Sequence, residues 1–104
     1  VKFTSFKSFY PFYLKQHLNP INRALHFFGL LLLIVLSCLF ALRGDFLYIP
    51  LSLVPSYMLS WIGHYFFEKN KPATFNHPIY SVRGDVQMFL DILMRREKIF
   101  VKTK

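Results

Sequence analysis

Two apolar runs dominate the chain. From Ala24 to Leu42, 19 residues (ALHFFGLLLLIVLSCLFAL) carry no charge, and from Phe46 to Phe67 another 22 (FLYIPLSLVPSYMLSWIGHYFF) are equally free of it. At about 1.5 Å per residue the first makes roughly 29 Å of helix, the thickness of a bilayer's hydrocarbon core. The second contains Pro50 and Pro55, which must start or kink its helix. Arg43-Gly44-Asp45 separates the runs, Gly supplying the turn and Asp the expected cap of the next helix. The pattern predicts two spans, at 20–42 and 46–67, joined as a hairpin.

The flanks read as interfacial. Ser8 as cap and Pro11 in the first turn predict a helix over 8–18, with Tyr10, Tyr13, Leu14 and His17 on one side. Asn19 then caps the first span and Pro20 opens it. Residues 69–80 hold Pro72 and Pro78 and read as a loop. Asp85 is expected to cap an amphipathic helix over 85–96, with Val86, Phe89, Leu90 and Leu93 on its apolar side. The expected fold is an all-α membrane protein, one domain over 1–104. It is a two-span transmembrane helical hairpin with an N-terminal interfacial helix and a C-terminal amphipathic helix.

Composition excludes the soluble alternative. In 104 residues, 54% hydrophobic and only 17% charged, there is nothing large enough to bury both runs. A cleaved signal peptide fits poorly, because no A-x-A site ends the first run. Val35-Leu36-Ser37-Cys38 faintly resembles a lipoprotein cleavage box, but the apolar run continues past the cysteine. Cys38 is alone, so no internal disulfide forms.

The net charge of +8 sets the orientation. Lys2, Lys7, Lys15 and Arg23 precede the first span. Lys69, Lys71, Arg83, Arg95, Arg96, Lys98, Lys102 and Lys104 follow the second, and the connecting turn nets to zero. Both termini should therefore face the cytoplasm, in a bacterial inner membrane or the endoplasmic reticulum according to the host. Anionic lipid alone accounts for these cations, so the lipid bilayer is the expected partner and nucleic acid is not.

That topology brings all four histidines, His17, His26, His64 and His77, to one membrane face. Ser52, Ser56, Ser60 and His64 form one i, i+4 row that Glu68 extends, while His26, Gly29, Leu33, Ser37 and Ala41 share a face of the first span. Small residues mark the seams where membrane helices meet, and ionisable groups there point to function. Neutral imidazole suits zinc, copper, iron and nickel. No H-E-x-x-H motif, cysteine pair, nucleophile–base motif or phosphate-binding glycine loop is present. A membrane-embedded imidazole metal site is the reading the residues support. The competing one is a non-catalytic membrane scaffold or interaction protein with structural histidines.

Two segments carry a resemblance. Phe9-Tyr10-Pro11-Phe12-Tyr13-Leu14 followed by His17-Leu18-Asn19-Pro20-Ile21-Asn22-Arg23-Ala24-Leu25-His26-Phe27-Phe28-Gly29 is one. The other runs from Trp61-Ile62-Gly63-His64 through Glu68-Lys69-Asn70-Lys71-Pro72-Ala73-Thr74-Phe75, His77-Pro78 and Tyr80-Ser81 to Gly84-Asp85, with Met88 and Asp91-Ile92-Leu93 beyond. They resemble the signatures of the 2-hydroxy fatty acid dioxygenases, small membrane proteins whose fungal members act in the metabolism of phytosphingosine to odd-numbered fatty acids. The chain resembles the short form of that family. The resemblance implies an Fe(II) enzyme that uses O2 to shorten a 2-hydroxy fatty acid by one carbon. It implies His17, His26, His64 and His77 as metal ligands, with Glu68 and Asp85 orienting them or replacing one. Arg23, Lys69 and Lys71 are the implied partners of the substrate carboxylate, and Asn22 and Tyr65 are weaker candidates.

Overall fold

The computed structural model describes residues 3–72 and 75–99. Lys2, Lys102 and Lys104 of the charge count, and Ala73 and Thr74 of the second signature, lie outside them. All regular structure among the described residues is helical: α1 (Phe6–Lys15), α2 (Pro20–Leu42), α3 (Leu53–Ile62) and α4 (Pro78–Leu93). A 3₁₀ segment, Phe46–Ser52, leads into α3, and a π-helical segment, Gly63–Glu68, leads out of it. Both α2 and the composite helix Phe46–Glu68 are long and apolar enough to cross a membrane.

Local chemistry accounts for the helix ends. The Asn19 side chain accepts from the Ile21 and Asn22 amides, and Pro20 follows at the first helical position, where its missing N–H costs nothing. The first helix starts earlier than its proline suggested. Ser5, not Ser8, is the cap, its hydroxyl accepting from the Ser8 amide at 3.2 Å, so Pro11 falls mid-helix and the helix ends at Lys15. A proline there gives up one backbone hydrogen bond. Packing offsets it: Phe9 and Tyr13, with Met88 of α4, form the buried core, each side chain worth about 2 kcal/mol.

The last helix differs from expectation for the same kind of reason. It begins at Pro78, not at Asp85, and ends at Leu93. Asp85 and the Arg83-Gly84-Asp85 triplet therefore sit inside a helix and make no turn. Gly84 is needed there because a Cβ would lie 2.8 Å from the Tyr13 ring. Phe89 is buried and stacks on Phe27 of α2, whereas Val86, Leu90 and Leu93 are exposed on the outer face. In the Arg43–Asp45 turn Gly44 takes φ 77, but Asp45 does not cap; its carboxylate pairs with Arg43 at 3.4 Å.

The two long helices lie antiparallel along a seam of small residues. The hydroxyls of Ser37 and Ser52 are 3.0 Å apart, a Cβ on Gly29 would lie 3.1 Å from the Ser56 carbonyl oxygen, and Gly63 abuts Asn22. Such close approach is what small residues permit between membrane helices. The α1–α4 pair closes over one end of this seam, which sets the depth of the site.

Candidate metal centre

Three of the four histidines meet. His17 follows α1, His26 is nearly two turns into α2, and His64 lies in the π-helical segment; all three are buried. Their ring centroids are 4.4 to 4.8 Å apart, and one nitrogen of each falls within 4.8 Å of the others. The wider turn of a π-helix re-aims its side chains relative to an α-helical row, a device common at functional sites. Glu68 consequently does not continue the row of Ser52, Ser56, Ser60 and His64 on an α-helical repeat.

Hydrogen bonds define the tautomers. His17 Nδ1 lies 2.7 Å from the Tyr13 carbonyl oxygen and His26 Nδ1 lies 2.9 Å from that of Asn22. His64 Nδ1 lies 2.7 Å from Asn70 Oδ1. That oxygen is assigned by its own amide, since Asn70 Nδ2 donates to the Gln16 carbonyl and side-chain oxygens. Each Nδ1 must therefore carry the proton and donate, leaving each Nε2 with a bare lone pair. His17 and His26 nevertheless bring their Nε2 atoms to 3.2 Å. Two lone pairs at that distance repel unless a cation lies between them. A proton is a poor candidate at neutral pH, because burial and the neighbouring imidazoles hold the pKa of His17 well below its ordinary value. Neutral imidazoles with oriented rings are what a divalent transition metal binds. The donor set fits such an ion.

The other expected residues hold distinct places. His77 lies among the rings of Phe3, Phe9 and Tyr80, outside the group of three, with its Nδ1 buried and unpartnered. Glu68 accepts from the Asn19 amide and from Asn22 Nδ2, so it steadies the residue whose carbonyl holds His26. Asp85 touches none of the three Nδ1 atoms. It accepts from the Tyr13 hydroxyl, and burial raises its pKa to about 7 despite that bond. Arg23 is buried and committed: Nε donates to the His17 carbonyl oxygen, while Nη1 donates to Glu97 at 2.8 Å and to the Lys98 carbonyl oxygen at 2.7 Å. It braces a histidine and already pairs with a carboxylate of the chain itself, Glu97. Lys69 and Lys71 are exposed; Lys71 sits over the Phe75 ring and lines a cavity of about 330 Å³ with Gln16 and His77. Tyr65 is exposed.

Asn70, Gln16 and the Tyr13 ring escaped the sequence reading. Tyr13 stacks on His17 with centroids 4.0 Å apart. Asn70 reaches back to His64 because Lys69 turns the chain with φ 62, and the Asn70 amide donates to the His64 carbonyl oxygen. An Asn just past a helix end is the available signal, but helical spacing does not register it.

A second cavity, about 120 Å³, runs from His26 between α2, α3 and α4, with Leu30, Leu33 and Val86 among its apolar walls and Asp85 and Ser60 among its polar ones. Residues 3–97, nearly the whole chain, match the family model described as 2-hydroxy-palmitic acid dioxygenase Mpo1-like. Searches of curated proteins and of solved structures return no match.

Proposed function

The chain belongs to the Mpo1-like family, and from that membership we propose that it is an iron(II)-dependent dioxygenase of 2-hydroxy long-chain fatty acids in lipid and sphingolipid metabolism. The observation that carries this reading is the set of three imidazoles whose Nδ1 atoms are held as donors and which bring one nitrogen each within 4.8 Å of the others, the Nε2 atoms of His17 and His26 to 3.2 Å. His17, His26 and His64 would hold the iron, which supplies Lewis acidity and the electrons that activate O2. A 2-hydroxy acid plus O2 then gives the acid one carbon shorter, carbon dioxide and water, a balance that needs no further reductant.

The chain's own residues bind and orient. Tyr13, Asn22 and Asn70 hold the three rings at their Nδ1 atoms, and such supporting bonds typically contribute ten- to a hundredfold in metal affinity. Arg23 fixes the His17 backbone. Lys69 and Lys71 draw the substrate carboxylate to this end of the molecule, and His77 lines the cavity beside Lys71. The cavity beside His26, with Leu30, Leu33 and Val86 on its walls, receives the first carbons of the acyl chain and excludes water from the reacting end.

Both long helices span the bilayer in this reading. Only 11% of the most apolar window of α2 and 17% of that of the second helix is buried inside the protein, so their outward side chains require lipid. With Lys7, Lys15 and Arg23 on one flank and Lys69, Lys71 and Arg83 on the other, both termini face the cytoplasm. A topology reporter fused to either end should give the same-side signal; opposite signals would end the hairpin assignment.

The direct test is detergent-purified protein with Fe(II), O2 and a 2-hydroxy sixteen-carbon acid. Oxygen uptake matched one to one by the fifteen-carbon acid is the expected result. No turnover in iron-loaded protein would return the histidines to a structural role.

A further inference from the structure

We propose that Asp85 recognises the 2-hydroxyl group of the bound acid from the wall of the cavity beside His26, and so determines specificity at C2. This rests on the functional reading above and adds a residue that reads the substrate.

The argument begins with what Asp85 does not do. The three histidine Nδ1 atoms already have the Tyr13 carbonyl, the Asn22 carbonyl and the Asn70 side chain as partners, so no ring needs Asp85 to orient it. The ion pairs of the described residues are Arg23–Glu97, Arg43–Asp45 and Arg96–Asp91, and none includes Asp85. Asp85 thus has no cation among the described residues. Its cavity mixes Leu30, Leu33, Val82 and Val86 with Ser56, Tyr57 and Ser60, and the Tyr13 hydroxyl engages one carboxyl oxygen, which leaves the other to be met by a polar group of the ligand.

Its aim is nonetheless controlled. Asp85 lies in the middle of α4, and the Tyr13 hydroxyl donates to its Oδ1. Tyr13 is itself fully buried, wedged against Gly84, and stacked on His17. One residue thus ties the carboxyl to the histidine group while leaving it on the cavity wall that His26 shares. A ligand whose oxygens reach the histidines along this cavity carries its first carbons past Asp85. On a 2-hydroxy acid, C2 bears the one hydroxyl able to donate to it.

Cavity size assigns selectivity to that end of the chain. At about 120 Å³ it is smaller than the ~150 Å³ cavities that hold benzene, so it takes only the first few carbons of a long acid. The remainder leaves past Val82 and Val86, which line the cavity and are still 47% and 44% exposed. No wall there measures chain length.

A plain fatty acid offers no donor to the Asp85 oxygen that Tyr13 does not engage, whereas the 2-hydroxy acid does; the expected preference is about ten- to a hundredfold. The experiment compares anaerobic, Fe(II)-loaded protein in detergent for binding of a 2-hydroxy sixteen-carbon acid and its unhydroxylated counterpart, with iron content measured in parallel. Asp85→Ala removes the acceptor, and the double variant Asp85→Ala with Tyr13→Phe removes its donor too, so that no buried hydroxyl is stranded. Both should keep wild-type iron while the preference collapses to within about threefold. Retained preference would overturn the assignment, and so would loss of iron, which would make Asp85 a support of the metal. Wild-type protein that binds iron but shows no preference for the hydroxylated acid would overturn both this inference and the functional reading beneath it.

Discussion

Changing His17, His26 or His64 singly to alanine should abolish both iron retention and oxygen-dependent turnover while the protein still inserts into membranes. One ring nitrogen of each lies within 4.8 Å of the others, so in a shared site each imidazole removed would take away a bond that the remaining two could not replace. Insertion is spared because the outward apolar surface of the two long helices does not depend on the metal. The effects should not add: His26→Ala with His64→Ala should be no worse than either alone, as expected of groups that act as a unit. His77→Ala, among the Phe3, Phe9 and Tyr80 rings, and Ser60→Ala, one turn from His64, serve as controls that keep their iron. Metal analysis of the purified variants checks all of this. Near-normal iron in any two of the three single variants would refute a shared site.

Gly63→Ala should be nearly as damaging without touching a ligand. A Cβ on Gly63 would stand 2.1 Å from Asn22 Oδ1 and 3.2 Å from the Asn22 Cα, so turning the side chain alone does not clear it. Asn22 is fully buried, its amide donates to Glu68, and its carbonyl holds His26, while His64 is the residue after Gly63. The two helices must separate where His26 and His64 are anchored. Overpacking of this kind costs about 1–3 kcal/mol, and the displaced rings should release iron. Gly44→Ala supplies the contrast. Its φ of 77 strains any side chain, at a cost of about 1 kcal/mol, but the space around it is open and the turn lies at the opposite end of the seam. Thermal unfolding in detergent together with iron content separates the two: both variants lose stability, and only Gly63→Ala loses metal. A Gly63→Ala protein with wild-type iron would show that the seam tolerates the added carbon.

Helix existence was legible in the chain, and helix limits were less so. The charge-free runs are long and periodic enough to predict both long helices, and Asn19-Pro20 marks the start of α2 because cap and proline act over a few residues. Near Pro11 and Asp85 the same local rules placed helix starts too late. Packing of α1 against α4 favours helix at Pro11 and at Gly84-Asp85, where propensity alone would break it.

Local spacing along the chain accounts for two long apolar helices, a tight turn, serine and glycine rows that meet, and histidines near one end of both helices. Which of those histidines come together, and how each is held, follows from packing between distant segments. His64 is turned by a π-helical segment and steadied by Asn70 across a chain reversal; His17 is steadied by the Tyr13 carbonyl and by Arg23; His77 is left among aromatic rings. A periodic pattern records which side of a helix a residue occupies. Bringing three imidazoles within reach of one another depends on how segments far apart in sequence pack together, and no spacing along one helix encodes that.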